Sequence, residues 1–387
     1  MRAHGIEQTV ASTYRKLFTG DPLQVKSPGR INLIGEHTDY NNGFVMPAAI
    51  DKGVAFAIGR SDNTLATIHS AKYDETLSID TRKPDKVSSP AWANYLIGVL
   101  ARLKQEGVEV PPFNCVFHGD LPTGAGLSSS AAVECGFIFG LNTLFDLRLE
   151  REKMAYFAQW AEHNYVGVKC GIMDQFTSIM GRKDNVILLD CRSLEYDYIP
   201  FKLKDYTLVL IDTGVKHSLA SSEYNTRRAE CEQGVAILRT RFAEVNSLRD
   251  VSPQLMKENK SLFPDSVYQR CLYVSEENER VLKAKQLLLE GQMNGFGALM
   301  YQSHYGLSNM YAVSCPELDF LVEQAKKDTR VAGARMMGGG FGGCTINLVE
   351  REHTDSVVES IVAAYKSAFG IHAETYAVEV SDGAAII

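Results

Sequence analysis

Hydrophobic positions along the first half of the chain repeat with two different periods. Ile6, Val10, Tyr14 and Leu17 recur at helical spacing, which predicts an amphipathic first helix. Strand-like apolar runs and longer helical patterns then alternate. The predicted strands are QVKSPGRINLIG at 24–35, GVAFAIGR at 53–60 and FNCVFHGD at 113–120, and the predicted helices cover 90–107, 128–146 and 150–166. The pattern indicates a chain that contains both α and β elements.

The alternation of strand and turn pauses near Pro200, and a new strand pattern, YTLVLIDTG, begins at residue 206. A chain of 387 residues is long for a single core and favours more than one domain. We therefore predict two domains, residues 1–200 and residues 201–387.

Composition excludes some classes of partner. The chain has 45% hydrophobic and 22% charged residues and a formal net charge of −7, so it lacks the basic excess that nucleic-acid binding requires. No apolar run reaches the roughly 18 to 20 residues that span a bilayer, and the N-terminus lacks the apolar core of a signal peptide. Eight cysteines are scattered without a CxxC pair, which is typical of thiols in a reducing compartment. We expect a cytoplasmic protein that binds neither nucleic acid nor membrane.

A glycine-rich and serine-rich segment, LPTGAGLSSSAAV at 121–133, follows the third predicted strand. Glycines allow backbone N–H groups to approach anionic oxygens, and the start of the following helix adds unpaired N–H groups with partial positive charge. Serine hydroxyls can bond to phosphate or to Mg²⁺. The segment is typical of a phosphate-binding loop, with a simple turn and a serine helix cap as the alternative.

A second glycine-rich segment, MMGGGFGGCTINLVE at 336–350, contains GxGxxG through Gly338, Gly340 and Gly343. A dinucleotide-binding fold needs a helix after this pattern, but CTINLV alternates like a strand. The P-loop pattern GxxxxGK[ST] is absent from the sequence. The glycines therefore indicate a backbone that closely approaches another loop or a phosphate-bearing ligand, with a tight hairpin as the alternative.

The segment GRINLIGEHTDY at 29–40 carries Glu36, His37 and Asp39 within four positions of one another. Carboxylates and imidazole form strong, oriented hydrogen bonds with the hydroxyl groups of a sugar. A solvated polar turn is the alternative. Arg30 counts against that alternative, because a guanidinium within an apolar run is costly unless an anion pairs with it.

These three motifs together resemble the galactokinases, which belong to a group of small-molecule kinases that also includes homoserine, mevalonate and phosphomevalonate kinases. The likeness runs in collinear order from about residue 25 to the C-terminus. Four further stretches share it, WANYLIGV at 92–99, AEHNYVGVKCGIMDQF at 161–176, LLDCRSLE at 188–195 and KHSLASSEYNTRR at 216–228. The resemblance implies an α+β fold with an N-terminal domain like ribosomal protein S5 domain 2, a C-terminal ferredoxin-like domain, and the active site between them.

The resemblance also implies roles for individual residues. Asp174 is expected to be the catalytic base, with Arg30 beside it. The residues expected to contact the sugar are Glu36, His37, Asp39, Gly171 and Tyr224. Those expected to bind the nucleotide are Gly124, Ala125, Gly126, Leu127, Ser128, Ser129 and Ser130, with Trp92 and Tyr95 around the adenine. Ser130 and Glu162 are the expected Mg²⁺ ligands. Without the resemblance, both aromatic residues would be interpreted as the core face of a helix.

The implied reaction is the phosphorylation of D-galactose by MgATP at the anomeric hydroxyl, carried out by a monomer, as the first committed step of galactose catabolism. Two alternatives stay open. One is a non-catalytic galactose sensor, although the GLSSSAA stretch that such sensors alter is intact here, and the other is a kinase for N-acetylgalactosamine. The chain departs from the usual family pattern at Lys169, where a proline is common, and at Met337, where threonine or serine is common.

Overall fold

The protein is described by a computed structural model that covers residues 5–122, 126–216 and 220–387. Its helices are α1 (Ile6–Leu17), α2 (Ala93–Gln105), α3 (Ser129–Phe145), α4 (Arg151–Ala161), α5 (Met173–Met180), α6 (Ala220–Arg239), α7 (Pro253–Glu258), α8 (Asp265–Leu289), α9 (Met293–Tyr305), α10 (Pro316–Lys327) and α11 (Thr354–Phe369). Its strands are β1 (Leu23–Asn32), β2 (Phe44–Val45), β3 (Pro47–Arg60), β4 (Ala66–Ser70), β5 (Glu75–Ile79), β6 (Phe113–Gly119), β7 (Asn185–Asp190), β8 (Tyr196–Pro200), β9 (Tyr206–Lys216), β10 (Val331–Met336), β11 (Gly342–Glu350), β12 (Glu374–Val378) and β13 (Ala385–Ile386).

The first sheet has the strand order β13-β1-β3-β6-β4-β5, and only the β4–β6 pair among these described strands is parallel. Helix α1 covers one face of this sheet through Ile6, Val10 and Tyr14, which confirms the predicted helix. Leu17, the fourth predicted apolar position, is 49% exposed at the end of the helix. Helix α3 packs on the opposite face, against β1 and β3. Gly136 permits this approach, because a Cβ atom there would overlap the ring of Phe56.

The second sheet has the order β10-β11-β9-β12, and its paired strands are all antiparallel. Along the chain, β9 leads through α6 to α10 into the β10–β11 hairpin, and α11 then leads to β12. A strand, helix, strand, strand, helix, strand sequence with this spatial order is ferredoxin-like. The expected α+β fold class with two domains is confirmed.

The two halves of the chain share apolar contacts. A short sheet of β2, β7 and β8 lies against α8, and the largest core cluster includes buried side chains from both large sheets. The C-terminal strand β13 pairs with β1 at the edge of the first sheet. The division into residues 1–200 and 201–387 stays a prediction. Within the described ranges, no helix has both the length and the apolar character needed to cross a bilayer.

Predicted element boundaries differ from the structure at two functional positions. The first predicted strand ends at Asn32 rather than at residue 35, because the chain turns there into the acidic loop, residues 33–43. The third predicted long helix is regular only to Ala161 and continues as a single π-helical turn, Glu162–Val166. Such π-turns are frequent at functional sites.

Candidate active site

The strand that carries Arg30 is shaped by a bulge. The pairing of β1 with β3 shifts between Pro28 and Arg30, and a bulge of this kind re-aims a side chain. The intervening Gly29 lies against the glycine-serine loop, where a Cβ atom would come within 2.8 Å of the Leu127 carbonyl oxygen. The Arg30 backbone N–H donates to that same oxygen at 3.2 Å. The bulge therefore positions Arg30 beside the described end of the loop.

Arg30 and Asp174 form a bidentate pair although 144 positions separate them in sequence. Arg30 Nε lies 2.7 Å from Asp174 Oδ1, and Nη2 lies 3.0 Å from Oδ2. Arg30 also donates to the Gly126 carbonyl oxygen, and the Ser128 hydroxyl donates to Asp174 Oδ2. Burial opposes the charge of Arg30, but the adjacent Asp174 carboxylate outweighs it and raises the pKa of the guanidinium. Asp174 lies in the first turn of α5, so its carboxylate is held at a helix N-terminus.

Asp39 begins a short 3₁₀ turn in the acidic loop and lies against the backbone of Gly171. A Cβ atom at position 171 would overlap the Asp39 carboxylate, so glycine is needed there for close packing. Burial, followed by the negative charge of Asp174, raises the pKa of Asp39 to about 7. Gly171, in the loop before α5, thus packs directly against the Asp39 carboxylate.

Glu36 joins the acidic loop to the β10–β11 hairpin. Its Oε1 accepts from the Gly338 backbone N–H at 2.5 Å, and its Oε2 accepts from Asn32 Nδ2 at 2.6 Å. Arg335, on β10, has no solvent exposure and places Nη2 3.2 Å from Glu36 Oε1. Three neighbouring groups thus contact the Glu36 carboxylate, which has about four acceptor positions.

His37 adopts a positive φ of 62° and is almost fully buried. Its ring packs near Tyr40, Tyr224 and Tyr311, at centroid distances of 5.8, 5.4 and 4.8 Å. Burial is the main cause that lowers the pKa of His37 to about 3, so the imidazole is neutral at physiological pH. Nδ1 lies 2.7 Å from the Tyr40 hydroxyl, whereas Nε2 has no partner among the described residues.

A cavity of about 440 Å³, hereafter the acidic cavity, lies where these groups meet. Its walls include Arg30, Glu36, His37, Asp39, Glu162, Asp174, Tyr224, Gly338 and Gly339. The expected catalytic and sugar-contacting residues therefore come together, and Gly171 lies behind Asp39.

A second cavity of about 420 Å³, hereafter the aromatic cavity, lies beside the first. Its walls include Tyr73, Trp92, Tyr95, Phe117, His118, Ser129, Ser130, Val133 and Val166. Trp92 packs edge-on against Phe117 with ring centroids 5.2 Å apart, and its Nε1 donates to Glu75 at 2.7 Å. Val166 lines both cavities, so the π-helical turn separates them.

The seven expected loop residues have different positions. Ser129 and Ser130 line the aromatic cavity, and Ser128 contacts Asp174 instead. Leu127 is buried in the core beneath the loop. Gly126 faces the β10–β11 hairpin. Gly124 and Ala125 lie outside the described residues.

Glu162 has the contacts expected of a cation ligand that is held in place. Ser130 Oγ lies 3.1 Å from its Oε1, and Gln175 Nε2 donates to its Oε2 at 2.8 Å. Gln175 Nε2 also lies 3.3 Å from the buried Glu134. Burial, followed by the Asp174 charge, raises the pKa of Glu162 to about 7, and burial raises the pKa of Glu134 well above its usual range.

Ser130 and Glu162 together suit Mg²⁺ better than a metal that needs many protein ligands. In the described part of the chain, no group of three or more His, Cys, Asp or Glu side chains has metal-binding geometry. Mg²⁺ is commonly bound by one or two protein oxygens and keeps water and phosphate oxygens in its other positions. A hydroxyl and a carboxylate 3.1 Å apart, Ser130 and Glu162, form a donor set of that kind.

The second glycine-rich segment forms the turn of the β10–β11 hairpin and also closely approaches another loop. Gly338 and Gly126 face one another, since a Cβ atom at 338 would lie 3.2 Å from the Gly126 Cα. Gly338 and Gly340 have φ values of 81° and 87°, which favour glycine. The predicted close approach is therefore confirmed, and strand β11 after the glycines excludes a dinucleotide-binding turn at this position.

Comparisons with known proteins agree with this geometry. The family models for the GHMP kinases N terminal domain, the galactokinase galactose-binding signature and the GHMP kinases C terminal match residues 94–182, 12–60 and 284–367. A galactokinase of Thermotoga maritima is 42% identical, covering 93% of this chain and 99% of the relative. One from Clostridium perfringens is 39% identical, covering 97% and 98%.

The solved structures include a similar protein as well. The Lactococcus lactis galactokinase, crystallised with galactose, superimposes with a TM-score of 0.95 at 33% identity, covering 98% of this chain and 99% of that one. The similarity therefore extends over both domains and over all three motifs. The chain belongs to the galactokinase family of the GHMP kinases.

Proposed function

We propose that this protein transfers the γ-phosphoryl group of ATP to the anomeric hydroxyl of D-galactose, giving α-D-galactose 1-phosphate and ADP. This is the first committed step of galactose catabolism. The observation that carries the proposal is the Arg30–Asp174 pair, which lies in the acidic cavity next to the aromatic one. The galactose-binding signature and the galactose-bound relative support the choice of sugar.

Asp174 is the group that accepts the proton of the anomeric hydroxyl in this proposal. A carboxylate fixed by a bidentate arginine and a serine hydroxyl has a single orientation. Arg30 contributes positive charge where negative charge develops during phosphoryl transfer. Both oxygens of Asp174 already accept hydrogen bonds, so the aspartate contributes through orientation as well as through basicity.

The acidic loop is the sugar-reading surface in this proposal. Asp39 accepts hydrogen bonds from the 3- and 4-hydroxyls, and His37 with Glu36 contacts the 6-hydroxyl. Glu36 accepts hydrogen bonds from Asn32 and Gly338 and lies 3.2 Å from Arg335 Nη2, which leaves an acceptor position for one hydroxyl. Gly171 permits the position of Asp39, and Tyr224 packs beside His37.

The nucleotide occupies the aromatic cavity in this proposal. Trp92 and Tyr95 line this cavity together with Ser129 and Ser130 and offer ring surfaces to the adenine. The glycine-serine segment from Gly124 to Ser130 is the proposed source of N–H groups and hydroxyls for the phosphates. Ser130 and Glu162 hold Mg²⁺, which supplies charge neutralisation at the phosphates when it is bound. The Gln175 amide keeps the Glu162 carboxylate in one orientation. We propose that a monomer is sufficient, because the two cavities are built from one chain.

The direct test is ADP release by the purified protein with MgATP and a panel of sugars. We expect turnover with D-galactose and much weaker turnover with N-acetyl-D-galactosamine. Galactose binding without ADP release would indicate a sensor, and equal or better activity on the N-acetyl sugar would overturn the assigned substrate. Omission of Mg²⁺ or addition of a chelator should abolish the ADP signal.

The affinity of the nucleotide-free protein for galactose should decrease as the pH falls below 7. Burial and Asp174 raise the pKa of Asp39 to about 7, with Glu36 acting in the same direction and Arg30 opposing. A raised pKa means that Asp39 takes up a proton as the pH falls through 7, and its ionised fraction then drops about tenfold per pH unit. A protonated carboxyl accepts fewer sugar hydroxyls.

Isothermal titration calorimetry between pH 5.5 and 8 measures this dependence. Asp39→Asn is the matched variant, since it keeps the shape of the side chain and removes the titrating proton. We expect it to bind galactose weakly and almost independently of pH over this range. An equally steep pH dependence in Asp39→Asn would assign the titration to another group.

A further inference from the structure

A chain of hydrogen bonds runs from His37 into the C-terminal domain. His37 Nδ1 lies 2.7 Å from the Tyr40 hydroxyl, which lies 2.8 Å from the Tyr311 hydroxyl, which in turn lies 3.2 Å from Cys231 Sγ. His37, Tyr311 and Cys231 are buried and Tyr40 is partly buried, so most of this chain is shielded from solvent. The relay, as we name these four side chains, ends at the imidazole in the wall of the acidic cavity.

The chemistry of the relay gives it a direction. Each hydroxyl has one proton to donate, so the orientation of one link determines the next. A phenol has a reference pKa of about 10, which makes it a good donor to the lone pair of a neutral imidazole. With Tyr40 donating to His37 Nδ1, Tyr311 donates to Tyr40 and the Cys231 thiol completes the chain. The single proton of the neutral imidazole then lies on Nε2.

The surroundings of His37 Nε2 agree with a proton on that nitrogen. Nε2 is buried without a partner among the described residues, while the imidazole lines the acidic cavity. The Gly339 carbonyl favours a proton on the imidazole but forms no hydrogen bond of accepted geometry with Nε2, and Arg335 and Arg227 disfavour a second proton on the ring. A buried N–H without a partner is costly, so a ligand oxygen that accepts from it is strongly favoured.

We propose that Tyr40 and Tyr311 are positioning residues that hold His37 as its Nε2–H tautomer, so that the sugar pocket presents a hydrogen-bond donor to the 6-hydroxyl oxygen. This inference rests on the proposed function, which places that hydroxyl at His37. The 6-hydroxyl accepts from His37 and keeps its own proton for the remaining acceptor position of Glu36. A pocket built in this way discriminates against a sugar that lacks the hydroxyl, because the buried N–H is then unpaired.

The kinetic test compares D-galactose with 6-deoxy-D-galactose in the wild type, Tyr40→Phe and Tyr311→Phe. We expect the wild type to prefer galactose, and Tyr40→Phe to reduce the ratio of the two kcat/KM values by about fivefold, the value of one hydrogen bond of average strength. The activity on the 6-deoxy sugar should change little. Tyr311→Phe should have a smaller effect in the same direction, because Tyr40 can still donate.

Tyr305→Phe is the matched control, since Tyr305 is 66% exposed and should leave both activities unchanged. A merely structural role of Tyr40 would lower the activity on both sugars equally, and an unchanged ratio in Tyr40→Phe would overturn the proposal. Thermal melting of each variant separates unfolding from altered specificity, and Tyr311→Phe provides an independent variant if Tyr40→Phe melts early.

A measurement without turnover distinguishes failure of this inference from failure of the proposed function. ¹⁵N chemical shifts of selectively labelled histidine, with His37→Asn for assignment, report which ring nitrogen carries the proton. We expect an Nε2–H pattern in the wild type and a mixture of tautomers in Tyr40→Phe. An Nδ1–H pattern in the wild type would refute the proposal whichever sugar is phosphorylated.

Discussion

Asp174→Asn will reduce the kcat for galactose phosphorylation by on the order of 10²- to 10⁴-fold, the usual contribution of a positioned acid or base. The asparagine amide cannot accept a proton, and its NH₂ group must face either Arg30 or Ser128, which both donate to the aspartate. The side-chain volume is nearly unchanged, so we expect the fold and the affinity for an ATP analogue to be almost intact. Single-turnover kinetics and calorimetry with the analogue measure the two quantities separately.

The matched control for this variant is Asp184→Asn. Asp184 is exposed and has a φ of 58°, a conformation that asparagine tolerates well. It should therefore retain full activity and an unchanged melting temperature. A loss of less than about tenfold in Asp174→Asn would show that the proton acceptor lies elsewhere, since an acid or base contributes more than that.

Local sequence patterns predicted the elements that carry the site. The helical spacing of residues 6–17 and the apolar run around Arg30 are short-range signals. The structure has a helix at the first and a strand at the second, as predicted. The glycine-rich segments also identified backbone that must pack closely, as Gly126 and Gly338 do. The sequence patterns could not predict the pairing of loops that are far apart, because partner choice depends on the whole topology. The Arg30–Asp174 pair was expected from the family resemblance alone.

Sequence reasoning missed Arg335, although a usable signal was present. Arg335 lies in the apolar run VAGARM, and the cost of an unpaired guanidinium in such a run was the argument applied to Arg30. Its partners, Asn32 and Glu36, are about 300 positions away, so the sequence did not identify them. Glu134 and Gln175 were missed for a different reason. Glu134 follows the glycine-serine segment and Gln175 follows Asp174, and both segments had already been given a role through other residues. Only the fold brings these two side chains beside Glu162.

Arg335 is the central charge of the contact between the acidic loop and the β10–β11 hairpin. Its side chain is fully buried, with Nη1 3.1 Å from the Asn32 carbonyl oxygen and Nη2 3.2 Å from Glu36 Oε1. Glu36 is only 2% exposed, and its backbone carbonyl also accepts from the Tyr273 hydroxyl at 3.0 Å. Removal of the arginine therefore leaves an almost fully buried carboxylate without its charge partner.

Arg335→Met should lower the free energy of unfolding by about 3 to 5 kcal/mol, the typical cost of leaving one member of a buried ion pair unpaired. Glu36→Gln combined with Arg335→Met should recover part of that loss, because the double variant buries no net charge. Urea-induced unfolding measures both values. The control is Arg82→Met, whose side chain is 80% exposed in its pair with Asp80 and should contribute little. An Arg335→Met protein as stable as Arg82→Met would mean that the charge of Arg335 is not needed to hold Glu36 in the wall of the acidic cavity.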